Sequence, residues 1–298
     1  MSEYHKPVLL YESISALQIQ SHGIYVDATY GGGGHSKEIL KELKDGKLVA
    51  FDQDTDAEKN VTGDEKLIFV QQNFRYLKRF LKLYNALPID GIIADLGVSS
   101  HQFDTPARGF SLRFDAQLDM RMNTSQSLTA REVLNKYDEN DLLKIFSRYG
   151  EIRNSKSLAS AIISARKSQK IETIEQLKSI VKPLVKGIEN KYFAQLFQAL
   201  RIEVNQELEA LKEFLQQSAE VLKTGGRIAV ISYHSLEDRL VKNFFKTGNF
   251  EGEDEKDFFG NKKNIFKIIT KKPITPSENE IAENPRARSA KMRVAEKI

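Results

Sequence analysis

The stretch Ile24-Tyr25-Val26-Asp27-Ala28-Thr29-Tyr30-Gly31-Gly32-Gly33-Gly34-His35-Ser36-Lys37-Glu38-Ile39-Leu40 decides the fold. Its first part is apolar and strand-like, its middle is four glycines, and its last part has helical spacing. A strand, a glycine turn and a helix in that order turn backbone N–H groups and a helix N-terminus toward a small ligand. Glycine is needed because a Cβ would oppose positive φ angles and hold the ligand away. The next apolar run, Lys47-Leu48-Val49-Ala50-Phe51, ends in Asp52. An acid at that strand end can hold two ribose hydroxyls. Together the two features read as a nucleoside-cofactor site on an α/β sheet.

Working outward, apolar runs at residues 24–28, 47–51, 66–71 and 89–95 alternate with helical stretches at 36–43, 57–61 and 76–84. Strands separated by helices of this length imply βαβ units and a parallel sheet covered on both faces. From about Thr105 the pattern changes. Thr129-Ala130-Arg131-Glu132 and Thr173-Ile174-Glu175-Gln176 read as capping boxes, and helical periodicity continues to about Leu222 with no convincing strand up to that point. The run Arg227-Ile228-Ala229-Val230-Ile231-Ser232 then reads as a buried strand, followed by a helix over 238–245 and two late strands at 265–270 and 290–295. A sheet that stops, gives way to helices and resumes implies an insertion. The expected division is 1–104, 105–205 and 206–298, the middle segment being an inserted helical domain. Disorder is expected at 249–263 and 276–285.

Composition narrows the chemistry. The chain has 298 residues and no cysteine. Disulfides, thiolate zinc sites, iron–sulfur clusters and cysteine nucleophiles are therefore excluded. No run of about 18 apolar residues exists, so no transmembrane helix is expected. The first six residues lack the layout of a signal peptide, which sets the expectation of a cytoplasmic protein. Net charge is +4, but from Asn261 onward there are ten Lys/Arg against four Glu. Such a terminal stretch suits a polyanionic partner or a solvated basic surface. The histidines are scattered, and no metal set is expected.

The glycine turn serves several nucleotides. A Walker A loop fails because no Gly-Lys-Ser/Thr closes it, and a dinucleotide motif fails because Ser36 stands where its third glycine belongs. S-adenosylmethionine needs no pyrophosphate cradle, only an open turn, an acid for the ribose and a slot for adenine. Asn73-Phe74 follows the third strand, and Asp95-Leu96-Gly97-Val98-Ser99-Ser100 follows the fourth. Ligands of open α/β sheets bind outside those carboxyl ends. With no cysteine to attack C6, pyrimidine C5 methylation is excluded, leaving transfer to nitrogen or oxygen. Asp95 is the candidate to steer an amine and take its proton. Ser232-Tyr233-His234-Ser235-Leu236-Glu237-Asp238-Arg239 forms a second polar cluster at a strand end. His234 is a second catalytic candidate, and the same cluster also fits a helix start capped by Ser235.

At this point the motifs resemble those of the bacterial 16S ribosomal RNA cytosine-N4 methyltransferases, the MraW family. The resemblance is carried by Asp27–Ser36, Asp95–Ser100, Arg108-Gly109-Phe110-Ser111 and Leu118-Asp119-Met120-Arg121-Met122. Further on it includes Phe197–Ile202 with Val204-Asn205, Ser232–Arg239 and Asn284–Ser289. It covers essentially the whole chain. It implies a class I, Rossmann-like methyltransferase sheet with an inserted helical domain. It implies S-adenosylmethionine as cofactor and the exocyclic N4 of one decoding-centre cytidine as acceptor, in 16S rRNA, the small ribosomal subunit or its precursor. Cofactor contacts then fall on Gly33, Gly34, His35, Asp52, Phe74, Asp95 and Gln102. Arg286, Arg288, Lys291 and Arg293 would face RNA. Since Leu96-Gly97-Val98 follows Asp95 where DNA enzymes have a Pro-Pro-aromatic, Phe103, Phe110 or Tyr233 is left to stack on the base. Helical inserts can also join two copies, so a homodimer is compatible. Two rivals are a small-molecule or protein N-methyltransferase, active without RNA, and a non-catalytic RNA-binding assembly factor that retains a cofactor pocket.

Overall fold

The structure, a computed structural model, describes residues 7–254 and 264–298. Two compact units share the chain, one made of the residues up to Gly97 together with those from Leu208, the other of Val98–Glu207.

The first unit is built on a sheet of seven strands: β1 (Ile24–Asp27), β2 (Lys47–Phe51), β3 (Leu67–Val70), β4 (Ile89–Asp95), β5 (Leu222–Ser232), β6 (Phe266–Ile268) and β7 (Lys291–Lys297). Their spatial order is β3-β2-β1-β4-β5-β7-β6. The pairs from β3 to β5 are parallel, while β7 lies antiparallel between β5 and β6. This is the doubly wound, mostly parallel sheet that the alternating strands and helices of the sequence imply. Alternation along each strand assigns the two faces. Val26, Val49, Phe51, Ile92, Ile228 and Val230 enter one buried cluster, and Tyr25, Leu48, Ile93, Ala229 and Ile231 enter another. The first face is covered by α3 (Leu77–Leu83), α10 (Glu207–Val221) and α11 (Ser235–Thr247), through Leu77, Leu81, Phe214, Leu215 and Phe244. The second is covered by α1 (Leu10–Leu17) and α2 (Gly34–Glu42), through Leu17, Ile39 and Leu40.

The second unit contains α4 (Ser100–Asp104), α5 (Ala130–Lys136), α6 (Glu139–Arg148), α7 (Ser155–Ser168), α8 (Ile174–Val181) and α9 (Glu189–Asn205). Leu134, Phe146, Leu158, Ile162, Leu177, Leu196 and Leu200 form its core. Among the described residues its only β pairing is an isolated bridge between Gln117 and Thr173. Asn205 ties the irregular 118–122 segment down, accepting from Met122 N at 2.7 Å and donating to Met120 O at 2.8 Å. Arg108 does the same from the other side, donating through Nη2 to Arg121 O and Met122 O.

Several expectations are corrected. Thr173 and Gln176 make the full capping box, but Thr129 only accepts from Glu132 N, and the Glu132 side chain pairs with Lys136 instead. The helix expected at 57–61 is a 3₁₀ turn over Thr55–Asn60, capped by Asp54. The segment 276–285 is ordered around α12 (Glu278–Glu283), whose N-cap Ser277 accepts from Glu280 N. Of the other segment expected to be disordered, 255–263 lies outside the described residues, as do the first six residues. Among the described residues no helix is long and apolar enough to cross a membrane.

Candidate active site

Parallel pairing brings the C-terminal ends of β2, β1, β4 and β5 side by side. In register, Asp27 lies opposite Ala50 on β2 and Ile93 on β4, and Asp95 lies opposite Ile231 on β5. Asp52 follows β2 directly. Three carboxylates therefore stand along one edge of the sheet.

The glycine turn joins them. Tyr30 N donates to Phe51 O at 2.8 Å and Gly33 N to Tyr30 O at 2.7 Å, closing the bend from β1 into α2. Gly31 and Gly33 have φ of 51° and 74°, the left-handed region that disfavours other residues. A Cβ on Gly33 would lie 2.7 Å from the Tyr30 hydroxyl, whereas one on Gly31 would meet nothing closer than Thr29 O at 3.9 Å. Gly33 is the N-cap of α2 and supplies no side-chain cap. Gly34 also has no room for a side chain, because a Cβ would reach Pro7 Cγ at 2.1 Å.

Each carboxylate has its own surroundings. Asp27 is 1% exposed and accepts from Ser36 Oγ at 2.7 Å and Thr29 N at 3.0 Å. Burial raises its pKa to about 6 against those hydrogen bonds. Asp52 is half-buried, with Oδ2 accepting from Gly31 N at 2.7 Å and Oδ1 from Asp54 N at 2.8 Å. Burial raises it to about 6, and the charges of Asp54 and Asp27 add to the rise. Asp95 is half-buried, its Oδ1 accepting from the Tyr233 hydroxyl at 2.8 Å and its backbone N–H donating to Thr29 Oγ1 at 2.7 Å. Desolvation lifts it to about 6, while His35 and the Tyr233 hydrogen bond pull downward.

His35 is 5% exposed, and its Nε2 has no hydrogen-bond partner among the described residues. Burial lowers its pKa, so the ring is biased toward neutrality, with Asp95 opposing. A buried unpartnered nitrogen beside a glycine turn and a helix N-terminus without a side-chain cap leaves donors for an anionic ligand group. Phe74 opens the turn after β3, edge-on to Phe214 with ring centroids 5.1 Å apart. It is half-buried, and Asn73 beside it donates to Gln53 Oε1 at 2.9 Å. These residues fit an amino-acid tail, a ribose and a flat base in that order along the edge.

The remaining candidates sit in different surroundings. Gln102 belongs to the second unit, where it is 4% exposed and closes a capping box with Ser99. His234, rather than Ser235, is the N-cap of α11. Its Nδ1 accepts from Glu237 N at 3.4 Å, and its Nε2 lies 3.2 Å from Glu237 Oε1 without hydrogen-bond geometry. Arg288 is exposed and Arg286 half-buried in the turn before β7. Lys291 Nζ lies 3.9 Å from Asp238, and Arg293 grips the same carboxylate with two hydrogen bonds of 2.6 and 3.1 Å. Arg293 is thus committed to an ion pair within the fold.

Two roles escaped the sequence reading. Asp27 stood inside the quoted motif without a role, and the only hint was Ser36 nine residues later in the first helical turn. Tyr233, expected in the strand-end polar cluster and as a stacking ring, has its hydroxyl on Asp95.

Comparison with known proteins gives a consistent result. A model of the MraW methylase family matches residues 2–298. A ribosomal RNA small subunit methyltransferase H from Christiangramia forsetii is 57% identical over 300 residues, covering 100% of this chain and 99% of the relative. Its namesake from Bacteroides fragilis is 57% identical over 296 residues, with 99% and 97% covered. That from Flavobacterium johnsoniae is 56% identical over 298 residues, with 99% and 98% covered.

Proposed function

The chain belongs to the MraW methylase family, and from that premise we propose that it methylates the exocyclic N4 of one cytidine in the decoding centre of 16S rRNA. Its methyl donor is S-adenosylmethionine. The rRNA substrate is supported by full-length relatives at 57% identity that carry the name ribosomal RNA small subunit methyltransferase H. The choice of nitrogen as acceptor rests on one observation above others: Asp95 ends β4 with one carboxylate oxygen fixed by Tyr233 and the other making no hydrogen bond among the described residues.

Bound donor supplies an electrophilic methyl group. Asp52 would hold the ribose hydroxyls, since each of its oxygens keeps a lone pair beyond the backbone amide it already accepts. His35 Nε2, with Gly33 and Gly34 at the start of α2, would hold the amino-acid end, and Phe74 would flank the adenine. Asp95 would accept an N–H of the acceptor amine, aim the nitrogen lone pair and take the proton released on transfer. An exocyclic amine needs this help because its lone pair is delocalised into the ring. A paired cytidine would have to leave its stack to reach the carboxylate, at a cost of about a few kcal/mol. Arg288, with Arg286 and Lys291, would contact phosphates. His234, its side chain buried and its Nε2 3.2 Å from Glu237 Oε1, would order the start of α11 beside the site. The helical insert would be a domain in its own right, spanning about 105–205.

Mapping methylated cytidines in small-subunit rRNA by mass spectrometry, with and without the gene, tests this reading. Loss of one N4-methylcytidine in the decoding centre, restored by the gene, supports it. Unchanged rRNA methylation, or turnover on small molecules without RNA, would end it. Assays on naked 16S rRNA and on assembled subunits then separate the two substrate forms.

A further inference from the structure

We propose that Tyr233 is a positioning residue for Asp95, its hydroxyl fixing Oδ1 so that Oδ2 alone is presented to the acceptor amine. The inference deepens the function proposed above and rests on it.

Three observations converge on this pair. Tyr233 immediately follows β5, Asp95 ends β4, and the two strands run parallel with Asp95 opposite Ile231, so the phenol crosses one strand spacing to donate at 2.8 Å. The backbone on both sides is pinned. Asp95 N donates to Thr29 Oγ1 at 2.7 Å, and Tyr233 N donates to Glu237 Oε2 at 3.0 Å. The ring itself lies against Gly97, where φ is +102° and a Cβ would come within 3.3 Å of Tyr233 Cδ2. Glycine at 97 therefore serves two ends at once, the positive φ and the space for this ring.

The consequence for catalysis is geometric first. A carboxylate free to rotate offers an amine either oxygen over a wide arc. With one oxygen tethered, the other keeps one direction, which is what near-attack positioning requires. There is also an electrostatic consequence. A donor to the ionised form favours it, opposing desolvation and the charges of Asp27 and Glu237, while His35 acts in the same sense as the phenol. The phenol stays protonated, because burial and the charges of Asp95, Glu237 and Glu280 all raise its pKa. It can therefore donate throughout the working range.

The test is Tyr233→Phe, which keeps the ring against Gly97 and deletes the hydroxyl. Two measurements are made on full-length protein. The first is the carbon-13 titration of the Asp95 carboxylate in the ligand-free state, assigned with Asp95→Asn. The second is the pH profile of kcat/KM for RNA at saturating donor, where Asp52 no longer contributes. The expected result is an Asp95 titration raised by about one pH unit, an acid limb raised equally, and kcat at pH 7 reduced about tenfold, with donor affinity unchanged. Coincident titrations and profiles would overturn the inference. So would a loss of donor affinity and thermal stability as large as the loss of kcat, since that is a structural role alone. Wild-type protein without transfer would instead defeat the proposed function, and this inference with it.

Discussion

Replacing Gly33 by Ala should cost the fold more than replacing Gly31 by Ala, although both glycines sit in the same turn with positive φ. The conformational part is shared. An L-residue held in the left-handed region pays about 1–2 kcal/mol, with Ala at Gly31 near the lower end because its Cβ meets nothing closer than Thr29 O at 3.9 Å. At Gly33 the Cβ would strike the Tyr30 hydroxyl at 2.7 Å and its ring carbon Cζ at 2.8 Å. Tyr30 cannot swing away without cost. Its hydroxyl donates to Asn60 O at 2.8 Å, and its ring packs edge-on to Phe69 at 5.3 Å. Losing that hydrogen bond adds about 1 kcal/mol. The expected penalties are about 1 kcal/mol for Gly31→Ala and about 2–3 kcal/mol for Gly33→Ala. Urea unfolding followed by circular dichroism reads both, and calorimetry with S-adenosylmethionine should find at least a tenfold loss of affinity for Gly33→Ala. Equal penalties, or a Gly33→Ala protein as stable as the parent, would refute the steric reasoning.

Other expectations follow from the same edge of the sheet. Asp95→Ala should abolish methyl transfer while retaining most donor affinity by calorimetry; full turnover would remove the role given to that carboxylate. Asp27 has a folded pKa of about 6 against 3.8, so the folded state binds the extra proton between those values. Its contribution therefore falls as pH rises through that window, by about 3 kcal/mol, and is flat above it. Asp27→Asn should remove this pH dependence in paired urea titrations at pH 4.5 and 7, and parallel curves for both proteins would contradict it. Arg288→Ala should lower the salt slope of rRNA binding by about one, whereas Arg293→Ala should lower stability by breaking the Asp238 pair and leave the slope alone. A reversed pattern in filter-binding and unfolding data would reassign both.

The strands that carry the site were legible because their signals are local. β1, β2 and β4 are short apolar runs, each ending in or followed directly by an acid, and they fall within a residue of the expected positions. What escaped depends on partners far along the chain. α1 starts at Leu10 with no side-chain cap and Leu9 in a left-handed conformation, and Leu9 N is satisfied by Glu280 at 2.7 Å, 271 residues away. No window around Leu10 could report that bond. α12 falls in a segment expected to be disordered, although Ser277 and Glu280 spell a helix start. Asp27 looked like any strand-end acid until α2 placed Ser36 against it. The bond from Tyr233 to Asp95 spans 138 residues and exists only because β4 and β5 are neighbours in the sheet, an order that periodicity does not encode.

The placement of β7 has a bearing on how the molecule is made. Among the described residues its outer neighbour β6 pairs with no other strand, and β7 also caps the outer flank of β5, whose end carries Tyr233. During synthesis Phe266–Ile268 must wait, unpaired, until Lys291–Lys297 leaves the ribosome and threads between the two. Loss of those seven residues would expose two strand edges at once and set the nascent chain at risk of self-association.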